Sequence, residues 1–286
     1  MLAASLCGAL LGLVRLSGAE VTVKVQGSDV AGGTMILTGA GLPGAGADGK
    51  QTVAVGPGDA AIGYAGQSVS GDLHQSSGTW RFDNIWPADP ALIAVTDEAT
   101  RRLKYDLVEQ GRKAYRDVGD TLPAFALYDQ NGKLVRTQAL IGRPLVIDFI
   151  FTRCAQADMC PASTQKMAQL QKALKKANRT DVLLVTITLD PAYDTPGILR
   201  QYAQAYGLDL ANFALLTGPP EEMSPLLEEF GILRRTQDGI LQHTISTIVV
   251  SPQGRITYRN PGNLWTAEEI MARLPANAAN APAKAG

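Results

Sequence analysis

Cysteine and histidine are scarce in this chain, with three and two residues among 286. Three cysteines cannot build a disulfide-stapled scaffold, so the fold must rest on an apolar core. An excess of either charge is missing too: 26 Lys and Arg stand against 27 Asp and Glu. That balance offers no basic face and therefore no electrostatic case for binding nucleic acid. The apolar run at residues 2–14 is too short for a comfortable membrane span. What is present is ordinary globular composition, 45% apolar, over a length that suits one large domain or two smaller ones.

Residues 1–19, MLAASLCGALLGLVRLSGA, read as a secretory signal. The apolar run is followed by Ser17, Gly18 and Ala19, which suit a cut before Glu20 and would remove Cys7. Left uncut, the same segment would tether the chain to a membrane. A lipid anchor on Cys7 is disfavoured by the bulky Leu6 before it. The expected location is exported: the periplasm or the outer face of the inner membrane.

Residues 20–95 hold short β-like pieces between glycines, VTVKV (21–25), TMILT (34–38), QTVAV (51–55), AIGYA (61–65) and TWRFDNI (79–85). Alternation broken by Gly and Asp predicts a small all-β barrel-like domain. Within it His74 reads as an exposed loop histidine and Met35 as a core methionine, rather than as soft-metal ligands. Thr96 is the expected N-cap of a connecting helix over 96–118, with Ala99, Leu103, Leu107 and Ala114 on its inner face.

From residue 119 the pattern changes to a hairpin about Asn131–Gly132, then buried strands alternating with amphipathic helices, then a second hairpin and a terminal helix. That order predicts an α/β, thioredoxin-like domain over 119–275, a central mixed sheet flanked by helices. Residues 276–286 carry small residues, Pro and one Lys, and read as a disordered tail.

The chain is organised around LVIDFIFTRCAQADMCPAS, residues 145–163. An apolar run predicts a strand buried on both faces, broken only by Asp148, which must find a partner or sit near the functional end. Cys154, five further residues, Cys160 and Pro161 then open a helix. A helix N-terminus favours thiolate, the form that attacks disulfides and binds soft metals. A structural disulfide, or two inert core thiols, is the plain alternative. His243 precedes another buried strand, and the fold order brings its loop beside the cysteine loop. Two thiols and one imidazole suit copper as Cu(I) or Cu(II), whereas a closed zinc site needs a fourth ligand. Asp190 and Asp194, at a strand's C-terminal end, are candidates to orient His243, or simply cap the strand and the next helix.

Over residues 119–274 the chain resembles the Sco/SenC family, exported thioredoxin-like proteins that deliver copper to cytochrome c oxidase. The resemblance rests on LPAFALYDQNGKLV, on FIFTRC followed by CP, on TLDPAYDTP, on LRQYAQAYG and on HTISTIVVSPQGRI. It implies copper binding by Cys154, Cys160 and His243, and delivery to the oxidase copper-site subunit or another exported cuproprotein. The five residues between the cysteines depart from the three usual in that family, and Met159 among them could add a thioether. The same dithiol also supports an enzyme, a thiol–disulfide oxidoreductase that reduces the target's cysteines. A peroxidase using Cys154 beside Thr152 and Arg153, and a redox adaptor, complete the readings.

Overall fold

The computed structural model describes residues 19–237 and 240–276. The expected leader with Cys7 and the expected tail lie outside the described residues, apart from Ala19 and Ala276.

The first unit is a closed barrel of β1 (Ala19–Asp29), β2 (Thr34–Thr38), β3 (Lys50–Ala54), β4 (Ser68–Ser76) and β5 (Thr79–Pro87), with α1 (Pro57–Ile62) between β3 and β4. Strand β1 pairs with both β2 and β4, and a register shift between Val25 and Gly27 bends it enough to do so. Val23, Val25, Met35, Leu37, Val53, Leu73 and Phe82 fill the interior.

Two expectations fail inside the barrel. AIGYA is no strand: Pro57 in the first turn and Asp59 behind it start helix α1, which Gly63 ends at φ 80°. Strand β4 was not expected, because its inward row is Val69, Gly71, Leu73 and the glycine interrupts the alternation. Gly71 is there for Phe82, whose ring comes within 2.8 Å of where a Cβ would project. His74 lies on β4 rather than in a loop, its Nε2 3.5 Å from Asp83. Met35 is fully buried in the core.

Helix α2 (Pro90–Gln110) starts earlier than the expected Thr96. Asp89 accepts the Ala91 N–H at 2.8 Å and Pro90 sits at the first helical position, so Asp–Pro is the true start signal. Thr96 is instead buried mid-helix, its hydroxyl donating to the Ile93 carbonyl. A 3-10 turn, Gly111–Ala114, leads out.

The second unit contains β6 (Ala126–Asp129), β7 (Leu134–Arg136), α3 (Thr137–Leu140), β8 (Leu145–Ile150), α4 (Cys160–Lys176), β9 (Leu183–Thr188) and α5 (Pro196–Ala205). It continues with β10 (Phe213–Thr217), α6 (Pro220–Glu229), β11 (Arg234–Gln237), β12 (Ile240–His243), β13 (Ser246–Val250), β14 (Ile256–Pro261) and α7 (Ala267–Arg273). Its seven-stranded sheet runs β14-β13-β8-β9-β10-β6-β7, with β8, β9 and β10 parallel and the outer strands antiparallel. This is the thioredoxin-like mixed sheet. The β11–β12 hairpin stands outside it and was not expected from the sequence.

All six residues of β8 and all six of β9 are buried, which explains their nearly unbroken apolar character. Leu145, Ile147 and Phe149 pack with Leu103, Leu227 and Phe230 on the side of α2 and α6. Val146 packs with Met167, Leu170, Leu199 and Trp265 on the side of α4, α5 and α7. The Phe230 ring lies 5.3 Å from Phe149 and 6.5 Å from Phe125, so it joins the sheet to its helical cover. Phe230→Ala should lower stability by about 3–5 kcal/mol in urea unfolding. A loss below about 1 kcal/mol would mean that this aromatic cluster is not the centre of the core.

Candidate functional site

Strand β8 carries the chain to Phe151, Thr152, Arg153 and Cys154 at the C-terminal edge of the parallel strands, the edge where open α/β sheets place their sites. The turn closes with the Cys154 N–H on the Phe151 carbonyl at 3.3 Å, and the Met159 N–H returns to Gln156 at 3.1 Å. Helix α4 then opens on Cys160, with Pro161 in its first turn. Cys160 is 1% exposed, while Cys154 is half-buried with its S–H directed at the Gln156 carbonyl, 3.8 Å away. Both thiols are free.

Burial outweighs the helix terminus at Cys160. Desolvation pushes its thiol well above the usual range, and the adjacent Cys154 thiol adds to the rise, against a backbone hydrogen bond from Phe151. The expectation that both thiols favour thiolate therefore fails for Cys160 in the metal-free, reduced pair. The inner thiol keeps its proton until something replaces it.

His243, at the end of β12, places Nε2 3.7 Å from Cys160 Sγ. Its Nδ1 is 3.0 Å from the Thr244 carbonyl. A carbonyl only accepts, so in the neutral ring Nδ1 carries the proton and Nε2 turns its lone pair towards the sulfur. Burial holds His243 below the ordinary histidine range, which favours that neutral ring. The ring stands edge-on to Phe151, centroids 5.5 Å apart at 86°. Thr244 ties the hairpin back to the chain, its N–H on the Leu233 carbonyl at 2.9 Å and its hydroxyl accepting the Leu233 N–H at 3.0 Å.

The two carboxylates expected beside His243 are elsewhere. Asp194 accepts the Thr152 N–H at 3.1 Å, the Thr152 hydroxyl, and the Thr188 hydroxyl at 2.5 Å. Asp190 accepts Arg153 at 2.5 and 3.1 Å, and the guanidinium lies 4.1 Å from the centre of the Tyr193 ring. Both carboxylates hold the cysteine loop, and neither orients the imidazole. Asp148 does find partners: Thr186 at 2.5 Å and Ser163, on α4, at 3.2 Å. Thr186, Thr188 and Ser163 were not singled out in the sequence, and Thr152 only as a neighbour of Cys154; the one available signal is a hydroxyl residue beside each strand end. Met159 is half-buried, and His74 and Met35 belong to the barrel.

The structure thus places His243 beside Cys160 and Cys154 next to the same thiol. Among the described residues no group of three or more Cys, His, Asp or Glu side chains is placed so that it could hold a metal ion.

Burial pushes Asp148 up from 3.8 to about 6, against the pull of Thr186 and Ser163. A raised folded value means that this group's stabilising contribution is complete below about pH 4 and is lost as pH climbs through 6. Asp148→Asn, uncharged throughout, should therefore gain on the parent between pH 4 and 7.5 by at most about 3 kcal/mol in urea unfolding. A difference that stays constant with pH would show that Asp148 does not titrate in this range.

Comparison with known proteins gives a consistent picture. The family model described as SCO1/SenC matches residues 113–278, which leaves the barrel outside the match. The SCO1 protein homolog of Bacillus subtilis (strain 168) is 35% identical over 136 residues, 46% of this chain and 69% of that protein. A relative from Stutzerimonas stutzeri, named "Putative copper-binding protein", is 33% identical over 160 residues, 54% of this chain and 76% of its own length. A solved structure from Aquifex aeolicus VF5, 23% identical, covers 55% of this chain and 92% of its own with a TM-score of 0.50, and shares the fold.

Proposed function

The chain belongs to the SCO1/SenC family, and on that premise we propose that it is an exported metallochaperone that carries copper on Cys154, Cys160 and His243. Its acceptor in this reading is the copper-site subunit of cytochrome c oxidase, or another exported cuproprotein. The observation that carries the reading is the Nε2 lone pair of His243 facing Cys160 Sγ at 3.7 Å, with a second free thiol alongside. Two soft sulfurs suffice for Cu(I), and the imidazole supplies the nitrogen that Cu(II) prefers. The copper-binding name of the Stutzerimonas relative supports the same cargo.

Capture of copper is coupled to proton release, because buried Cys160 holds its proton until the metal displaces it. Affinity therefore rises with pH. Cys154, half-buried on the outer turn, is the ligand that an acceptor's thiolate reaches first. No described helix is long and apolar enough to cross a membrane. Export rests on residues 1–19, and N-terminal sequencing of the mature protein should begin at Glu20.

A second reading, reduction of a target disulfide, is favoured by the same asymmetry of thiols. An outer thiol can attack while a buried partner resolves the mixed disulfide. One variant separates the two readings. His243→Ala should lose stable Cu(II) binding and its sulfur-to-copper absorption, yet keep Cu(I) binding and all disulfide exchange. Cys154→Ser and Cys160→Ser should lose every one of these. Copper counted per chain, with the visible spectrum, is the measurement. If His243→Ala holds Cu(II) as the parent does, the imidazole is no ligand and the oxidoreductase reading takes precedence.

A further inference from the structure

The barrel lies outside the family match, yet it is in backbone contact with the thioredoxin-like unit. Helix α1 of the barrel lies on α5 with two glycines at the crossing. A Cβ at Gly58 would overlap the carbonyl group of Gly197 and come within 3.2 Å of the Gln201 N, and all three of these nearest atoms belong to α5. In the other direction, a Cβ at Gly197 would run into the carboxyl of Asp59, whose Cγ and both oxygens are its nearest atoms. Neither glycine has a positive φ. The backbone alone would accept alanine at both places, where glycine weakens a helix by about 0.5–1 kcal/mol. What excludes a side chain at each is the other unit.

The contact is buried. Asp59 is 6% exposed and Tyr64 1% exposed, and the Tyr64 hydroxyl donates to Asp59 at 3.4 Å. The edge of the Tyr64 ring comes within 2.8 Å of the Cβ position of Gly132, in the β6–β7 turn. The barrel thus grips the larger unit at α5 and at that turn.

Gly197 is the second residue of α5, and the residues just before it are Asp190, Pro191, Ala192, Tyr193, Asp194, Thr195 and Pro196. This is the segment that holds the cysteine loop. Asp194 fixes the N–H and hydroxyl of Thr152, and Asp190 fixes Arg153, next to Cys154. One short stretch, stiffened by two prolines, is clamped by the barrel on one side and clamps the cysteine loop on the other.

We infer that the barrel is a positioning element for the thiol site: docking of Gly58 and Asp59 on Gly197 fixes the 190–197 segment and, through Asp194 and Asp190, the geometry of Cys154. The inference rests on the Cys154–Cys160 site proposed above but not on which cargo that site carries.

Gly58→Ala in the full chain is the direct test, since its new methyl meets only α5. Equilibration with glutathione buffers reads the thiol–disulfide constant of the pair, and small-angle X-ray scattering reads whether the two units have moved apart. The expected result is a larger radius and a constant shifted by at least about tenfold, equivalent to about 30 mV. Gly197→Ala should behave alike, and Asp59→Ala in the same chain should restore the parent constant by clearing room for the methyl. If Gly58→Ala fails to fold, the Gly197→Ala and Asp59→Ala/Gly197→Ala pair carries the same comparison. Separated units with a constant within about twofold of the parent's would overturn the inference, and so would unchanged docking with an unchanged constant. A parent chain whose thiols form no disulfide would count against the site, and the rate of Cys154 alkylation then reads the same variants with the same expected ordering.

Discussion

The upper edge of the large sheet depends on one carboxyl group, that of Asp194. It has no exposed surface, and taking a carboxyl out of water costs several kcal/mol unless donors replace the water. Three donors do so, two from Thr152 and one from Thr188. Strands β8 and β9 pair in register up to Ile150 and Thr188, so those donors arrive from two ends that cannot slide past each other. Asp148 repeats the device one layer lower, joining β9 through Thr186 and α4 through Ser163. The cysteine loop is therefore hung at both ends. Its Cys154 side hangs on Asp194 and Asp190, and its Cys160 side hangs on Asp148 through the first turn of α4.

The imidazole has a different support. His243 ends a two-stranded hairpin that joins no larger sheet, and such a hairpin is marginal on its own. It is held by the reciprocal bonds between Thr244 and Leu233 and by the edge of the His243 ring on Phe151. Of the three proposed ligands, Cys154 and Cys160 thus lie on the loop and helix start that the end of the sheet holds, and His243 lies on a separate hairpin. In the proposed copper site the two sulfurs and the nitrogen would therefore come from separately supported elements. Change in nitrogen ligation is what distinguishes the preferences of Cu(II) from those of Cu(I).

The sequence made the centre of this arrangement legible and hid its supports. The apolar run at 145–151 could only be a strand buried on both faces, and Thr195–Pro196 could only start a helix, because burial and proline leave few alternatives. Cysteine and histidine were informative through their scarcity. The placement of Asp190 and Asp194 on the cysteine loop, rather than on His243, was not legible. Hydrogen bonds between strand ends depend on which strands are neighbours, and β8 and β9 are separated in the chain by a whole helix. The barrel errors have local causes: a glycine in the inward row concealed β4, and Pro57 with Asp59 converted an alternating stretch into α1. At Asp89–Pro90 the helix start was written plainly, but Thr96 followed by two acids made an equally good signal. The difference is that Thr96 faces inward, which only tertiary packing reveals.

The five-residue gap between Cys154 and Cys160 is wider than the three that the family resemblance implies, and the chain braces the added length from outside the loop. The Asn263 side chain donates to the Asp158 carbonyl at 2.7 Å, just before Met159 and Cys160. Lys166, one and a half turns into α4, donates to the carbonyl of the same Asn263, and its ammonium lies 5.9 Å from the centre of the Trp265 ring. Trp265 is itself 2% exposed in the core beneath α4. The loop after β14 is thereby pinned to the core at one residue and to the cysteine loop at another. A longer loop ordinarily carries more conformational entropy and holds its ends less firmly. Here the extra residues are spent in the direction of residue 263, where a hydrogen bond fixes them, and the helix still begins with Cys160 beside Cys154. Spacing in the sequence and spacing of the two sulfurs are therefore separate quantities, because the added residues are tied to Asn263 as well as to the two cysteines.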